Sequence, residues 1–329
     1  MRWVGLFLAG LAVFAGLIFW QAKEEYRAPG PLAEARSFVV PRGGIEAIGA
    51  ALAEAGIVPS PRRFALAAWL TKDEGPLRAA EFAFPAGASL HQVLDVLRHA
   101  RPVQRRLTIA EGLVAQQITA IFERAEGLVG PTPRVAEAGV LPETYAYQWG
   151  ETRAAVLRRA ETAMATTLAE LWAGRAPNLP FSTPGEAVTL ASIVERETGL
   201  ADERPRVAAV FVNRLRRGMR LQSDPTVVFA ATGGAASMDR PISRADLDRD
   251  HPYNTYRVAG LPPGPIAAPG RAALAAVLHP PTTEEFYFVA DGTGGHAFAR
   301  TVEEHNRNVV KWREIERQRN ATAGAPRSR

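Results

Sequence analysis

Two carboxylic acids, Glu195 and Glu197, close an apolar stretch that reads Leu190-Ala191-Ser192-Ile193-Val194. A carboxyl group on the flank of a buried helix loses water, which disfavours its charged form and moves its pKa toward the range a general acid needs. The helix can be read from its ends. Thr183-Pro184-Gly185-Glu186 offers a capping hydroxyl, a proline at the first helical position and a glutamate three residues after the cap, while Gly199 offers a stop, so a helix is predicted over 184–198. Ala187, Leu190, Ala191, Val194 and Thr198 then share one face. Glu195 falls on one edge of that stripe and Glu197 beyond the other, roughly 160° away. The two cannot form the carboxylate pair, about 5 Å apart, of a retaining glycosidase unless a second acid arrives from another segment. Glu195 is the candidate acid, and Glu197 is expected to be solvated or salt-bridged.

The residues that follow supply candidates for the walls of a site. Asp202 to Gly218 predicts a second helix, with Val207, Val210, Phe211 and Leu215 on one face and Arg216 and Arg217 in its last turn. Leu221-Gln222-Ser223-Asp224-Pro225 reads as a polar turn after this helical hairpin. His251-Pro252-Tyr253-Asn254-Thr255-Tyr256 precedes Gly260-Leu261-Pro262-Pro263-Gly264-Pro265-Ile266, which is too rich in proline and glycine to be helical and predicts an extended wall. Gln222, Ser223, Asp224, Tyr253, Asn254 and Tyr256 are the candidates for binding a polar substrate, and each has an alternative role in capping or turn hydrogen bonding.

Taken together, LASIVERET, the Asn213-Arg214-Leu215 triplet, GMRLQSDPTV, PYNTY, GLPPGPIAAPG, YFVADGTGGHAF and Glu304-His305-Asn306 resemble the motifs of the endolytic murein transglycosylase, or YceG-like, family in that family's order, over roughly residues 36–315. The resemblance implies lytic cleavage of peptidoglycan between N-acetylmuramic acid and N-acetylglucosamine, leaving 1,6-anhydromuramic ends, with Glu195 as acid and base. The candidate wall residues would then bind sugar hydroxyls and N-acetyl groups. A single carboxyl suits that chemistry, because the muramic C6 hydroxyl replaces water as nucleophile and no opposed second carboxylate is required. Two departures from the family pattern stand out. Pro142-Glu143-Thr144-Tyr145 replaces a Pro-Asp-Thr-Tyr, which keeps the charge but lengthens its reach and leaves Glu143 as a candidate cleft residue. Ala268 stands where a capping Asn or Thr is expected, at a cost of about 1 kcal/mol to the following helix. The rival readings are a non-catalytic peptidoglycan-binding scaffold and a hydrolytic muramidase pairing Glu195 with Glu143 or Asp224.

The expected fold is α+β in several parts. Trp3 to Trp20 is an uninterrupted apolar or small run with tryptophans at both ends, expected to be an uncleaved transmembrane anchor over 1–22. Arg2 before it favours the N-terminus inside. That gives a single-pass protein of the inner (cytoplasmic) membrane with a periplasmic catalytic domain, reached through a linker over 23–35. Residues 36–100 predict strand, helix, helix, strand, resembling a LysM-like module. Residues 101–319 predict the mixed catalytic domain, ending in a hairpin, Phe286 to Ala290 with His296 to Ala299, and a helix capped by Thr301. A disordered tail is expected over 320–329.

The 329-residue chain carries 39 Lys and Arg against 34 Asp and Glu, and this net charge of +5 is scattered and almost all arginine, so it predicts no nucleic-acid partner. It suits anionic headgroups and peptidoglycan carboxylates instead. The six histidines have no metal-ligand spacing, so no metal or other cofactor is expected, and the absence of cysteine is compatible with an oxidising compartment. Peptidoglycan strands are the expected partner, with glycan polymerases such as penicillin-binding proteins as neighbours.

Overall fold

The computed structural model describes residues 2–234 and 237–323. It divides into two compact units. One comprises Met1–Arg106, Glu126–Val129 and Ala146–Glu151; the other comprises Leu107–Ala125, Gly130–Tyr145 and Thr152–Arg329.

In the first unit, helix α1 (Arg2–Arg27) leads to β1 (Arg36–Val39), α2 (Ile45–Glu54), α3 (Pro61–Leu70), β2 (Glu81–Phe84) and α4 (Leu90–His99). Strands β1 and β2 pair antiparallel, Arg36 opposite Phe84 and Val39 opposite Glu81, with both helices between them in the chain. This is the strand-helix-helix-strand order expected for 36–100. Gly49 lets α2 and α3 approach, since a Cβ there would fall 2.8 Å from the Phe64 ring. Leu52, Ile57, Phe64, Phe82, Val93, Leu94 and Leu97 close the core and are fully buried. The expected anchor falls on α1, where the side chains at positions 2–9, 12, 15 and 18 lie outside the described residues. Among the described residues, no helix is long and apolar enough to cross a membrane.

Beyond α4 the chain continues as β3 (Arg105–Thr108), α5 (Ala115–Arg124), β4 (Thr144–Tyr147), α6 (Arg153–Ala173), α7 (Pro184–Glu197), α8 (Arg204–Arg216), α9 (Asp224–Thr232), α10 (Arg244–Asp248), α11 (Arg271–Leu278), β5 (Tyr287–Ala290), β6 (His296–Ala299) and α12 (Val302–Ala323). Three helices, α7, α8 and α11, pack on one another around Leu190, Ala191, Val194, Val207, Phe211, Leu274 and Val277. Burial of the leucine, valine and phenylalanine side chains among them contributes about 1.5–3 kcal/mol each. The β5–β6 hairpin pairs antiparallel, Tyr287 opposite Ala299, and lies against α12.

Several expectations need correction. Helix α7 is buried on every side from Ala187 to Val194 rather than along one stripe. The polar turn at 221–225 is the entry to a further helix, α9, with Ser223 at its N-cap and Asp224-Pro225 in its first turn. The late helix begins at Arg271 with Gly270 as N-cap, so Ala268 is not its capping position and no cap is lost there. Helix α12 runs to Ala323, into the tail expected from Asn320, and 324–329 lie outside the described residues.

Helix α7 starts as its sequence dictates. The Thr183 hydroxyl accepts the Glu186 N–H at 3.2 Å, while the Glu186 carboxylate takes the Thr183 N–H at 2.8 Å. Replacing Thr183 with Ala removes one arm of this reciprocal cap, and chemical denaturation should show a loss of about 1 kcal/mol with the fold retained.

Candidate active site

The site is built on an extended strap, residues 266–270, which follows the proline-rich wall and runs beside α7. Ile266 donates its N–H to the buried Ser192 hydroxyl at 3.0 Å, which itself donates to the Thr189 carbonyl. Ala268 exchanges main-chain hydrogen bonds with the turn before α5: its N–H goes to the Leu113 carbonyl at 2.8 Å and its carbonyl accepts from Gly112 at 2.9 Å. Gly112 can make that turn because it tolerates φ +74°. Arg196, next to the candidate acid, donates to the Gly112 carbonyl at 3.2 Å and clamps the turn from the α7 side. One strand of backbone thus links α7 to the turn that carries Glu111.

At the end of the strap Gly270 donates its N–H to Glu195 Oε2 at 2.8 Å. The other oxygen, Oε1, accepts from the Arg204 guanidinium at 3.3 Å. The Glu195 side chain is only 4% exposed. Burial raises its pKa above the ordinary carboxylate range, the Gly270 N–H pulls it back, the nearby Glu111 charge raises it again and Arg204 lowers it. A protonatable carboxyl bound by a main-chain N–H on one oxygen and a guanidinium on the other is suited to giving up a proton and taking it back. Arg204 is positioned from behind. The preceding residue, Glu203, stands at the N-cap position of α8 but gives its carboxylate to the β5–β6 hairpin, accepting the His296 N–H at 2.9 Å and contacting the His296 ring nitrogen at 2.7 Å.

Glu197 is not solvated as expected. It accepts a short hydrogen bond from the Ser223 hydroxyl, and burial pushes its carboxyl up to about 7. Ser223 occupies the N-cap position of α9 but gives its hydroxyl to Glu197 instead of capping. Its N–H goes to the Thr255 hydroxyl at 2.9 Å, and Thr226 donates to its carbonyl and meets Thr255 at 2.8 Å. This buried hydroxyl cluster joins the end of α7 to the start of α9 and to the 254–256 turn.

The other sequence candidates divide. Gln222 is exposed, with φ +48°, and its N–H goes to the Thr255 carbonyl at 3.2 Å. Tyr256 donates its hydroxyl to Asp224 at 2.7 Å, and Tyr253 lies against the Phe229 ring at a centroid distance of 4.9 Å. Asn254 is completely buried; its amide nitrogen serves the Asp246, Leu247 and Arg249 carbonyls and its oxygen accepts the Tyr256 N–H, so it braces a loop. Glu143 is exposed, and its backbone carbonyl accepts from Ile109. Asn213 and Arg214 are likewise tied to main chain, Asn213 to the Thr283 and Glu285 carbonyls and Arg214 to those of Phe286 and Leu221. Two residues beside Glu195, Glu111 and Arg204, carry no local sequence signal for this role. No cluster of His, Asp and Glu among the described residues could hold a metal ion.

The YceG-like family matches residues 38–311, and the chain belongs to that family. Over 125 residues it is 43% identical to a protein of Bacillus subtilis named endolytic murein transglycosylase, covering 38% of this chain and 34% of that one. A Streptococcus pneumoniae protein of the same name is 33% identical over 179 residues, 53% of this chain and 32% of the relative. The chain therefore spans about a third of the length of each of these relatives. A crystal structure of a yceG-like protein from Listeria monocytogenes shares the fold with a TM-score of 0.51 at 24% identity, covering 84% of this chain and 99% of that one.

The raised Glu197 carboxyl makes a pH prediction. A group whose pKa is higher folded than unfolded contributes stability below its ordinary value, near 4.5, and loses it as pH rises toward about 7. Thermal unfolding from pH 4.5 to 7 should show wild-type stability falling across this window, and Glu197→Gln should flatten that slope. Parallel curves for the two proteins would place the Glu197 carboxyl in water.

Proposed function

We propose that this chain is a membrane-anchored endolytic lytic transglycosylase that cuts the bond between N-acetylmuramic acid and N-acetylglucosamine in nascent glycan strands. The observation that carries the reading is the single desolvated carboxyl of Glu195, bound on one oxygen by a main-chain N–H and on the other by a guanidinium. The chain's family membership and the names of its relatives agree with it.

In this reaction the protonated Glu195 gives its proton to the glycosidic oxygen as the muramic C1–O bond breaks. The carboxylate left behind removes the proton of the C6 hydroxyl as that oxygen bonds to C1. The products are a 1,6-anhydromuramic end and a free C4 hydroxyl on N-acetylglucosamine; Glu195 ends protonated and no water is consumed. Gly270 and Arg204 steady the transient carboxylate between the two proton transfers, where a buried charge without partners would be costly.

The finer parts of the reading rest on the sequence. The run Trp3 to Trp20 would anchor the chain in the cytoplasmic membrane, with residues 36–100 as a LysM-like module beside it and 101–319 as the periplasmic catalytic domain. Gln222, Tyr253, Tyr256 and Asp224 would bind sugar at the rim, and penicillin-binding proteins would supply fresh strands.

A second reading has one specific observation behind it. Glu111 approaches the same Arg204 nitrogen as Glu195 and would give a hydrolase its second acid.

Mass spectrometry of digested glycan strands separates the readings. Anhydro ends are expected from the wild-type protein, and Glu195→Gln should lower their rate of formation by about 10²- to 10⁴-fold while folding is retained. Reducing ends would mean hydrolysis, and intact strands a binding scaffold.

A further inference from the structure

Arg204 is the only cation that meets Glu195 among the described contacts, and it is shared. Its Nη2 lies 3.3 Å from Glu195 Oε1 and 3.9 Å from Glu111 Oε2, and the Arg204 side chain is only 9% exposed. Its Nε is buried without a hydrogen-bond partner, so among the described contacts the two acids are the guanidinium's partners. Glu111, 45% exposed, is the wetter of the two.

Its place is not accidental. The backbone beside it is pinned by the Ala268 pairing and the Arg196 clamp, and its carboxylate fills the space over Gly270. A Cβ on Gly270 would fall 1.8 Å from Glu111 Oε1. Gly270 therefore does two things at once: it gives its N–H to Glu195 and leaves room for the carboxylate of Glu111.

We propose that Glu111 is a positioning residue for the acid: it competes for Arg204, so that two carboxylates share one buried cation and the less solvated one, Glu195, retains the proton it must donate. Without Glu111, a guanidinium and a main-chain N–H on one carboxyl would favour a closed ion pair and an ionised, inactive Glu195. The groups facing Glu195 agree with this balance: Glu111 from the turn before α5, Arg204 from α8 and the Gly270 N–H from the strap, while Arg196 on α7 is directed to the Gly112 carbonyl. The role rests on the reading of Glu195 as the acid.

The test is a carbon-13 carboxyl titration of Glu195 in the full chain, assigned by its loss in Glu195→Gln, together with the pH profile of glycan cleavage. Glu111→Gln should lower the Glu195 midpoint by about one unit and move the alkaline limb of the profile by the same amount, an approximately tenfold loss of rate above the wild-type midpoint. Glu111→Asp keeps the charge and should stay near wild type. Gly270→Ala pushes Glu111 from its seat while retaining both acids, and should lower the midpoint even if Glu111→Gln fails to fold. An unmoved midpoint in the folded variants overturns the proposal. So do wild-type reducing ends that vanish in Glu111→Gln, since Glu111 would then be activating water. A wild-type protein that cuts nothing defeats the enzymatic reading, and the titration still decides whether Glu111 controls Glu195.

Discussion

The hydrogen bond from the Gly270 N–H to Glu195 is the constraint on which the rest of the site depends. A buried carboxyl needs fixed partners, and the fold delivers this one at the end of a strap held at three earlier points by α7 and the turn before α5. Proline and glycine suit the segment leading into it, because they favour extended and turn backbone over helix, so that Ile266, Ala268 and Gly270 give their N–H groups to partners outside the segment. The strap positions both acids together. If it shifted, Glu195 would lose a donor and Glu111 its seat over Gly270.

The surroundings of α7 follow from the same need. Because this helix is buried on all sides, its polar residues must be satisfied from neighbouring segments. Ser192 meets the strap, Glu197 meets Ser223, and Arg196 reaches the Gly112 carbonyl. Each partner comes from a different stretch of chain, so the helix acts as the hub that sets the relative positions of the strap, α9 and the Glu111 turn. A network of this kind is costly when half satisfied, which favours one arrangement over nearby alternatives.

Much of this was legible in the sequence where the signal is local. The start of α7 could be read from Thr183, Pro184 and Glu186, the β1–α2–α3–β2 order from alternation and caps, and the β5–β6 hairpin from its glycine-rich turn. What failed was the assumption of one wet face. The helical wheel puts Glu197 beyond the buried stripe, which suggests water or a salt bridge, yet the end of α7 is covered by α9, a helix with apolar residues all round its short length and so no periodic stripe to find. Ser223-Asp224-Pro225 fits a helix start as well as a turn. Asn254 resembled a sugar ligand by type, but its amide braces a loop through contacts that no spacing rule encodes. Glu111 and Arg204 could not be singled out, since only the strap brings them to Glu195.

The proposed chemistry is confined to one buried carboxyl, that of Glu195. The most direct measurement is a crystal structure of the Glu195→Gln protein with a peptidoglycan oligosaccharide bound. A glycosidic oxygen between muramic acid and N-acetylglucosamine is expected within hydrogen-bond distance of the side chain at position 195, with the sugar running past Gln222 and Tyr256. A strand bound elsewhere on the molecule, with no sugar atom near position 195, would contradict it.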